Sequence, residues 1–246
     1  MQKLMSELRR LYLPAGTGVP DVLERRLLGN STELINLADE VGLVRAAMIP
    51  FKKLPHGDEA QHWTLLCAAA NALQTELGLP APAVSISGSD GYGLWLSLKS
   101  PVRAEKMRTL VGLLRAAYFP GGDDAVCTDV ELPPCLNRHS GKWAAFIHPG
   151  LGASFADEAG LDMPPPLAGQ ISLLEGLHSI SDEQLAHALT LLRRSHPAPA
   201  AATEQPGANA AARDGLLLAE ATIEDIVRHL HAQGIEPTFR HLLRDR

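Results

Sequence analysis

The stretch Val84-Ser85-Ile86-Ser87-Gly88-Ser89-Asp90-Gly91-Tyr92-Gly93-Leu94-Trp95-Leu96-Ser97-Leu98 constrains the fold more than any other part of the chain. Two apolar runs of strand length flank a Gly/Ser/Asp turn, the signature of a β-hairpin. In its second run Tyr92, Leu94, Leu96 and Leu98 alternate with Gly93, Trp95, Ser97 and Lys99. That alternation gives one buried and one partly open face. On the open face, Trp95 suits either stacking against a base or packing beneath a helix.

A second informative stretch runs from Val126 to Ile147. Val126-Cys127-Thr128-Asp129-Val130-Glu131-Leu132 is a strand bearing acids. Cys135-Leu136-Asn137-Arg138-His139-Ser140-Gly141-Lys142 leads through a polar turn into a further strand, Trp143-Ala144-Ala145-Phe146-Ile147. Asp129 and Glu131, two residues apart, share one face of their strand. Such a pair would hold a single metal ion through hard oxygens, or simply meet a neighbouring lysine or helix terminus. In the turn, Arg138, His139 and Lys142 suit phosphate oxygens. The alternative is a solvated hairpin turn whose cations serve solubility.

Residues 45–150 resemble the catalytic core of the archaeo-eukaryotic primase superfamily. Ser87-Gly88-Ser89-Asp90-Gly91-Tyr92 with Leu94-Trp95 is similar to the serine-glycine hairpin of that family. Thr128-Asp129 and the Leu132 to Gly141 turn are similar to its later Thr-Asp and Leu-Pro-x-x-Leu-His-x-x-Thr-Gly element. The resemblance implies a palm-type sheet and divalent Mg or Mn ions. It makes Asp129 the third metal-binding carboxylate, and places Ser87, Gly88, Asn137 and Ser140 around a nucleotide or single-stranded nucleic acid, where this chain adds Arg138, His139 and Lys142 of its own. The departures are as specific. The family's Asp-x-Asp place is Ile49-Pro50-Phe51 here, and the chain has no Asp-x-Asp at all. Gly93 stands where the hairpin histidine belongs, and Asn137 replaces the second histidine. Strand glycine also marks a bulge or a close approach of neighbouring groups.

Composition limits the alternatives. A net charge of -6 provides no global basic field, so nucleic-acid contact requires a local patch. Cys67, Cys127 and Cys135 lack zinc spacing. Neither a signal peptide nor an apolar run of about 20 residues is evident, which predicts a cytoplasmic chain without a membrane partner.

Along the chain, amphipathic spacing predicts helices over 2–12, with Leu4, Leu8 and Leu11 inward, and over 21–28. Gly16-Thr17-Gly18 is a turn, since no Gly-Lys-Ser/Thr follows. The spacing also predicts a strand over 44–51 and a helix over 59–77, capped by Asp58 and Gln61. Further helices are expected over 103–119, around 154–159, and over 181–194 with a Ser181/Gln184 capping box. The Ala/Pro-rich segment 195–213 is a linker. Beyond it, helices over 222–233 and from 237 onward carry Arg228, His229, Arg240 and His241.

The expected architecture is α+β: an RRM-like, antiparallel-rich primase palm over 45–194. An N-terminal helical segment (1–44), the linker (195–213) and a C-terminal helical segment (214–246) surround it. The hairpin is expected beside the strand of Asp129, with that acid close to Ser87 or Gly88. The leading functional expectation is a primase-like protein of plasmid or mobile-element type that has lost polymerase chemistry but binds nucleotide or nucleic acid. One alternative is an active, divergent primase using Asp129 and Glu131 as catalytic acids, with Asp123 or Asp124. Another is a structural subunit that recruits a replication protein through its C-terminal helices.

Overall fold

The computed structural model describes residues 1–14, 20–53, 60–119 and 128–195. Alternating apolar runs make strands β1 (Ile35–Asn36), β2 (Leu43–Lys52), β3 (Ala83–Ile86), β4 (Gly91–Arg103), β5 (Asp129–Val130), β6 (Cys135–Leu136) and β7 (Trp143–Ile147). Segments with helical apolar spacing make α1 (Gln2–Tyr12), α2 (Pro20–Leu27), α3 (Gln61–Thr75), α4 (Ala104–Tyr118), α5 (Leu167–Glu175) and α6 (Asp182–Ser195). A short 3-10 helix, Pro149–Phe155, follows β7.

The fold is α+β. Its main sheet has the order β2-β4-β3-β7-β6, with every neighbouring pair antiparallel. Pro50 is tolerated inside β2 because β2 lies at the sheet edge, where a missing backbone N–H costs no ladder bond. The strand therefore continues through Pro50 to Lys52.

Period two divides the sheet's side chains between its faces. Ala47, Ile49, Phe51, Val84, Ile86, Tyr92, Leu94 and Leu96 enter the larger core with Leu66 and Leu73 of α3, Leu110 and Leu114 of α4, and Leu185 and Leu189 of α6. On the opposite face Ala46, Ala83, Trp95 and Phe146 meet Leu4, Leu8, Leu11 and Tyr12 of α1, Leu23 of α2 and Leu174 of α5. Leu4, Leu8 and Leu11 are fully buried, each contributing about 1.5–3 kcal/mol on the transfer scale. Tyr12 stacks on Phe146 with centroids 5.7 Å apart and tilts against Trp95 at 5.2 Å. Trp95 is thus a packing residue, covered by α1.

Helix α1 covers only the Trp95 end of this second face, and the hairpin end stays open. The helices expected over 2–12, 21–28, 103–119 and 181–194 are present within a residue or two. The capping box also forms: Ser181 N donates to Gln184 Oε1 at 2.9 Å and Gln184 N to Ser181 Oγ at 3.2 Å.

Three expectations need correction. Helix α3 starts at Gln61 behind Ala60 (φ 60°), with no side-chain cap; Asp58 lies outside the described residues. The short helix after β7 begins at Pro149 rather than near 154, because Pro149 suits a first turn. The strand of Asp129 is not in the hairpin's sheet: β5 pairs with β1 in a separate two-stranded ribbon, Asn36 opposite Asp129. Pro133 and Pro134 follow closely and lack the N–H groups a longer strand would need, while β7 occupies the position beside β3. The Gly16-Thr17-Gly18 turn, Asp123, Asp124, Cys127, nearly all of the linker and the C-terminal helices also fall outside the described residues.

Candidate functional site

A groove of about 240 Å³ lies over the uncovered end of the sheet. Its floor is made where three strands align, with Ser85 and Pro50 both opposite Gly93. Because β2 alternates, Ile49 and Phe51 point into the core, whereas Met48, Pro50 and Lys52 line the groove. At the Asp-x-Asp place, Ile49 and Phe51 are therefore core residues and only Pro50 reaches the groove. Gly93 has no side chain to raise the floor. A Cβ there would come within 2.8 Å of Ser85 Oγ and 3.0 Å of Trp95 Nε1. Those two atoms are themselves bonded, Trp95 Nε1 donating to Ser85 Oγ at 2.9 Å. Gly93 is thus a close-approach glycine, and no bulge occurs at its register.

One wall is the β3–β4 turn. Ser87 Oγ accepts from Ser89 N and Gly91 N, both at 3.1 Å, which tightens the turn. Gly88 adopts φ 77°, and a Cβ on it would meet Asn137 Cβ at 2.9 Å. Here the hairpin turn docks on the 137–142 loop, and Ser140 Oγ donates to the Gly88 carbonyl.

The other wall is the β1–β5 ribbon with Leu34, Asp129, Val130, Glu131 and Pro133. Asn36 Nδ2 donates to Asp129 Oδ1 at 2.9 Å, and Asn137 Nδ2 donates to Glu131 Oε2 at 3.0 Å. Each carboxylate is thus oriented by one asparagine amide. Neither forms an ion pair among the described residues.

Of the residues expected at the site, the structure brings Ser87, Asp129 and Glu131 together on one groove. Gly88, Asn137, Arg138, His139, Ser140 and Lys142 lie outside its lining. Asn137 is buried, and its Oδ1 accepts from His139 N at 2.9 Å and Ser140 N at 3.1 Å. Lys142 pairs with Glu158 and, at 3.3 Å, with Asp162. Those hydrogen bonds raise its pKa further and hold its charge within the fold. Arg138 and His139 remain exposed. Sequence reasoning missed Leu34, Met48, Lys52 and Asn36. Period two along β2 points to the pair 48 and 52, but nothing in the sequence marks Asn36, whose strand is only Ile35–Asn36.

These residues do not fit a two-metal centre. Met48 and Pro50 offer no hard oxygen ligand, Lys52 is a cation, and Asp129 with Glu131 makes at most one side of a site. No group of three or more His, Cys, Asp or Glu side chains converges among the described residues.

One solved structure similar to this chain is the AEP domain of the cyanophage S-2L primase-polymerase (PrimPol). It is 18% identical, with a TM-score of 0.34, over 57% of this chain and 69% of that one. No family model matches the chain, and no curated protein matches it. No described helix is long and apolar enough to cross a membrane.

Proposed function

We propose that this chain is a primase-like protein that does not transfer nucleotides and that binds nucleotide or single-stranded nucleic acid in the hairpin groove. The observation that carries this reading is the groove face of β2, where Met48, Pro50 and Lys52 stand. Nucleotidyl transfer relies on divalent ions that stabilise the attacking and leaving oxygens, and carboxylates must hold them. A thioether, a pyrrolidine ring and an ammonium supply none. The open apolar floor instead suits a base or sugar, with Asp129 and Glu131 as fixed acceptors beside it. The hairpin motif of the sequence supports the same reading; the Thr-Asp motif does not, because its strand lies in a separate ribbon and not beside the hairpin.

Primer extension with magnesium or manganese tests the first half, and the full chain should add no nucleotide. Template-dependent synthesis that Asp129→Ala abolishes would overturn it in favour of an active, divergent primase. Fluorescence anisotropy of a labelled mixed-sequence oligonucleotide tests the second half. Binding should be lost on Pro50→Glu, which puts a carboxylate on the floor. Undiminished binding by that variant would move the site off the groove.

A further inference from the structure

We propose that the groove recognises a guanine base through Asp129 and Glu131. This rests on the groove being a nucleotide-binding site and names what it selects. The first argument is size. A volume of about 240 Å³ falls below the roughly 300–1,000 Å³ of pockets that enclose drug-sized ligands. That is room for a base or nucleoside.

The second argument is shape. Pro50, Met48 and the half-exposed Leu34 supply apolar surface on two sides of the groove. A planar base with apolar faces fits between such surfaces, as in single-strand recognition generally.

The third argument is hydrogen bonding. Asp129 and Glu131 each have one oxygen fixed by an asparagine amide. The second oxygen of each has no hydrogen-bond donor among the described residues. Ionised carboxylates only accept, and an oxygen that already takes one asparagine donor keeps a second lone pair, so either carboxylate can still take two parallel N–H donors, one on each oxygen. Among the common bases, guanine alone presents two adjacent donors, N1–H and the N2 amino group, on its pairing edge. Adenine and cytosine offer an amino group beside an acceptor, and that acceptor would be left facing a carboxylate. Hydrogen bonds to an ionised acceptor are the stronger kind. An arginine side chain of a partner protein also has parallel donors, but its narrow stem would cover less of the apolar surface that Met48, Pro50 and Leu34 supply.

Calorimetric titration of the full chain with guanosine, in buffer containing EDTA, tests the inference. Guanosine should bind roughly tenfold or more tightly than inosine, which lacks the N2 amino group, and than adenosine. Asp129→Asn keeps an oxygen for Asn36, and Glu131→Gln keeps one for Asn137. Each variant should retain the wild-type circular dichroism melt while weakening guanosine far more than adenosine. Equal affinity for the three nucleosides, or no guanosine binding, overturns the inference. So does displacement of guanosine by an equal concentration of N-acetylarginine amide, which would point to a peptide ligand. Binding of guanosine triphosphate that appears only with manganese overturns it in favour of a phosphate site. If nucleoside selectivity is absent while the oligonucleotide still binds the groove, only the guanine inference fails. If both are absent, the binding function fails with it.

Discussion

Gly93 shows how one missing side chain shapes the groove. Trp95 Nε1, Ser85 Oγ and Met48 Cγ all lie within 3.4 Å of where its Cβ would be. Gly93→Ala should therefore push the indole off Ser85 and cost about 1–3 kcal/mol, the usual range for overpacking a filled site. A fall in the urea midpoint checks this, and an unchanged midpoint would mean that Trp95 yields freely. At this scale part of the site was legible. Strand period led to the expectation that Asp129 and Glu131 face the same way, and both line the groove although β5 itself ends at Val130. That Asn36 and Asn137 orient them was not legible, since those bonds join residues 93 and 6 positions apart that the chain path brings together.

Helix α5 went unseen in the sequence because its residues, Leu167-Ala168-Gly169-Gln170-Ile171-Ser172-Leu173-Leu174, put no clean apolar stripe on one face. What fixes it is Gln170, buried beneath the helix. Its Oε1 accepts from Phe146 N and its Nε2 donates to Phe146 O, both at 2.9 Å, so one amide completes a residue of β7. Gln170→Leu is nearly isosteric and leaves that N–H and C=O buried without partners. Each orphaned group costs about 1–3 kcal/mol. Thermal melts should show a loss of at least that size, whereas Gln170→Glu should lose less at low pH, where the protonated acid again donates. Helix α6 stands at the opposite extreme. Its Ser181/Gln184 box is local in sequence, so it was predicted and it forms.

Across the whole molecule, a core on each side of the sheet gives the fold its stability, and the larger one contains a pH-sensitive residue. His62 of α3 is buried against Tyr92, ring centroids 5.2 Å apart, and its Nε2 has no hydrogen-bond partner among the described residues. Burial, then the Lys53 charge, lowers its pKa below the ordinary 6.5, against the opposing pull of Asp157 and Asp90. The unfolded chain therefore takes up the proton first. This contribution to stability is complete above the unfolded value, declines as the pH falls below it, and is lost as the pH passes through the folded value. Comparing urea midpoints at about pH 7.5 and pH 5 should show the wild type losing more stability than His62→Phe, which keeps the ring and removes the titration. Equal losses would show that His62 is protonated without penalty in the fold.

Sequence alone determined the elements whose causes are local. The hairpin follows from two apolar runs around Ser87–Asp90, the helices from apolar spacing and caps, and the missing Asp-x-Asp from composition at one strand. The antiparallel α+β class came from those elements together with their resemblance to the primase palm. Only the tertiary structure decided which face of each strand is covered. Helix α1 shields Trp95 and stops short of Pro50, so Met48 and Lys52 became groove residues while Ile49 and Phe51 became core. It also placed Asp129 on a separate ribbon and paired Lys142 with Glu158 and Asp162. Those outcomes depend on contacts between segments far apart in the chain, whose energies no local pattern encodes.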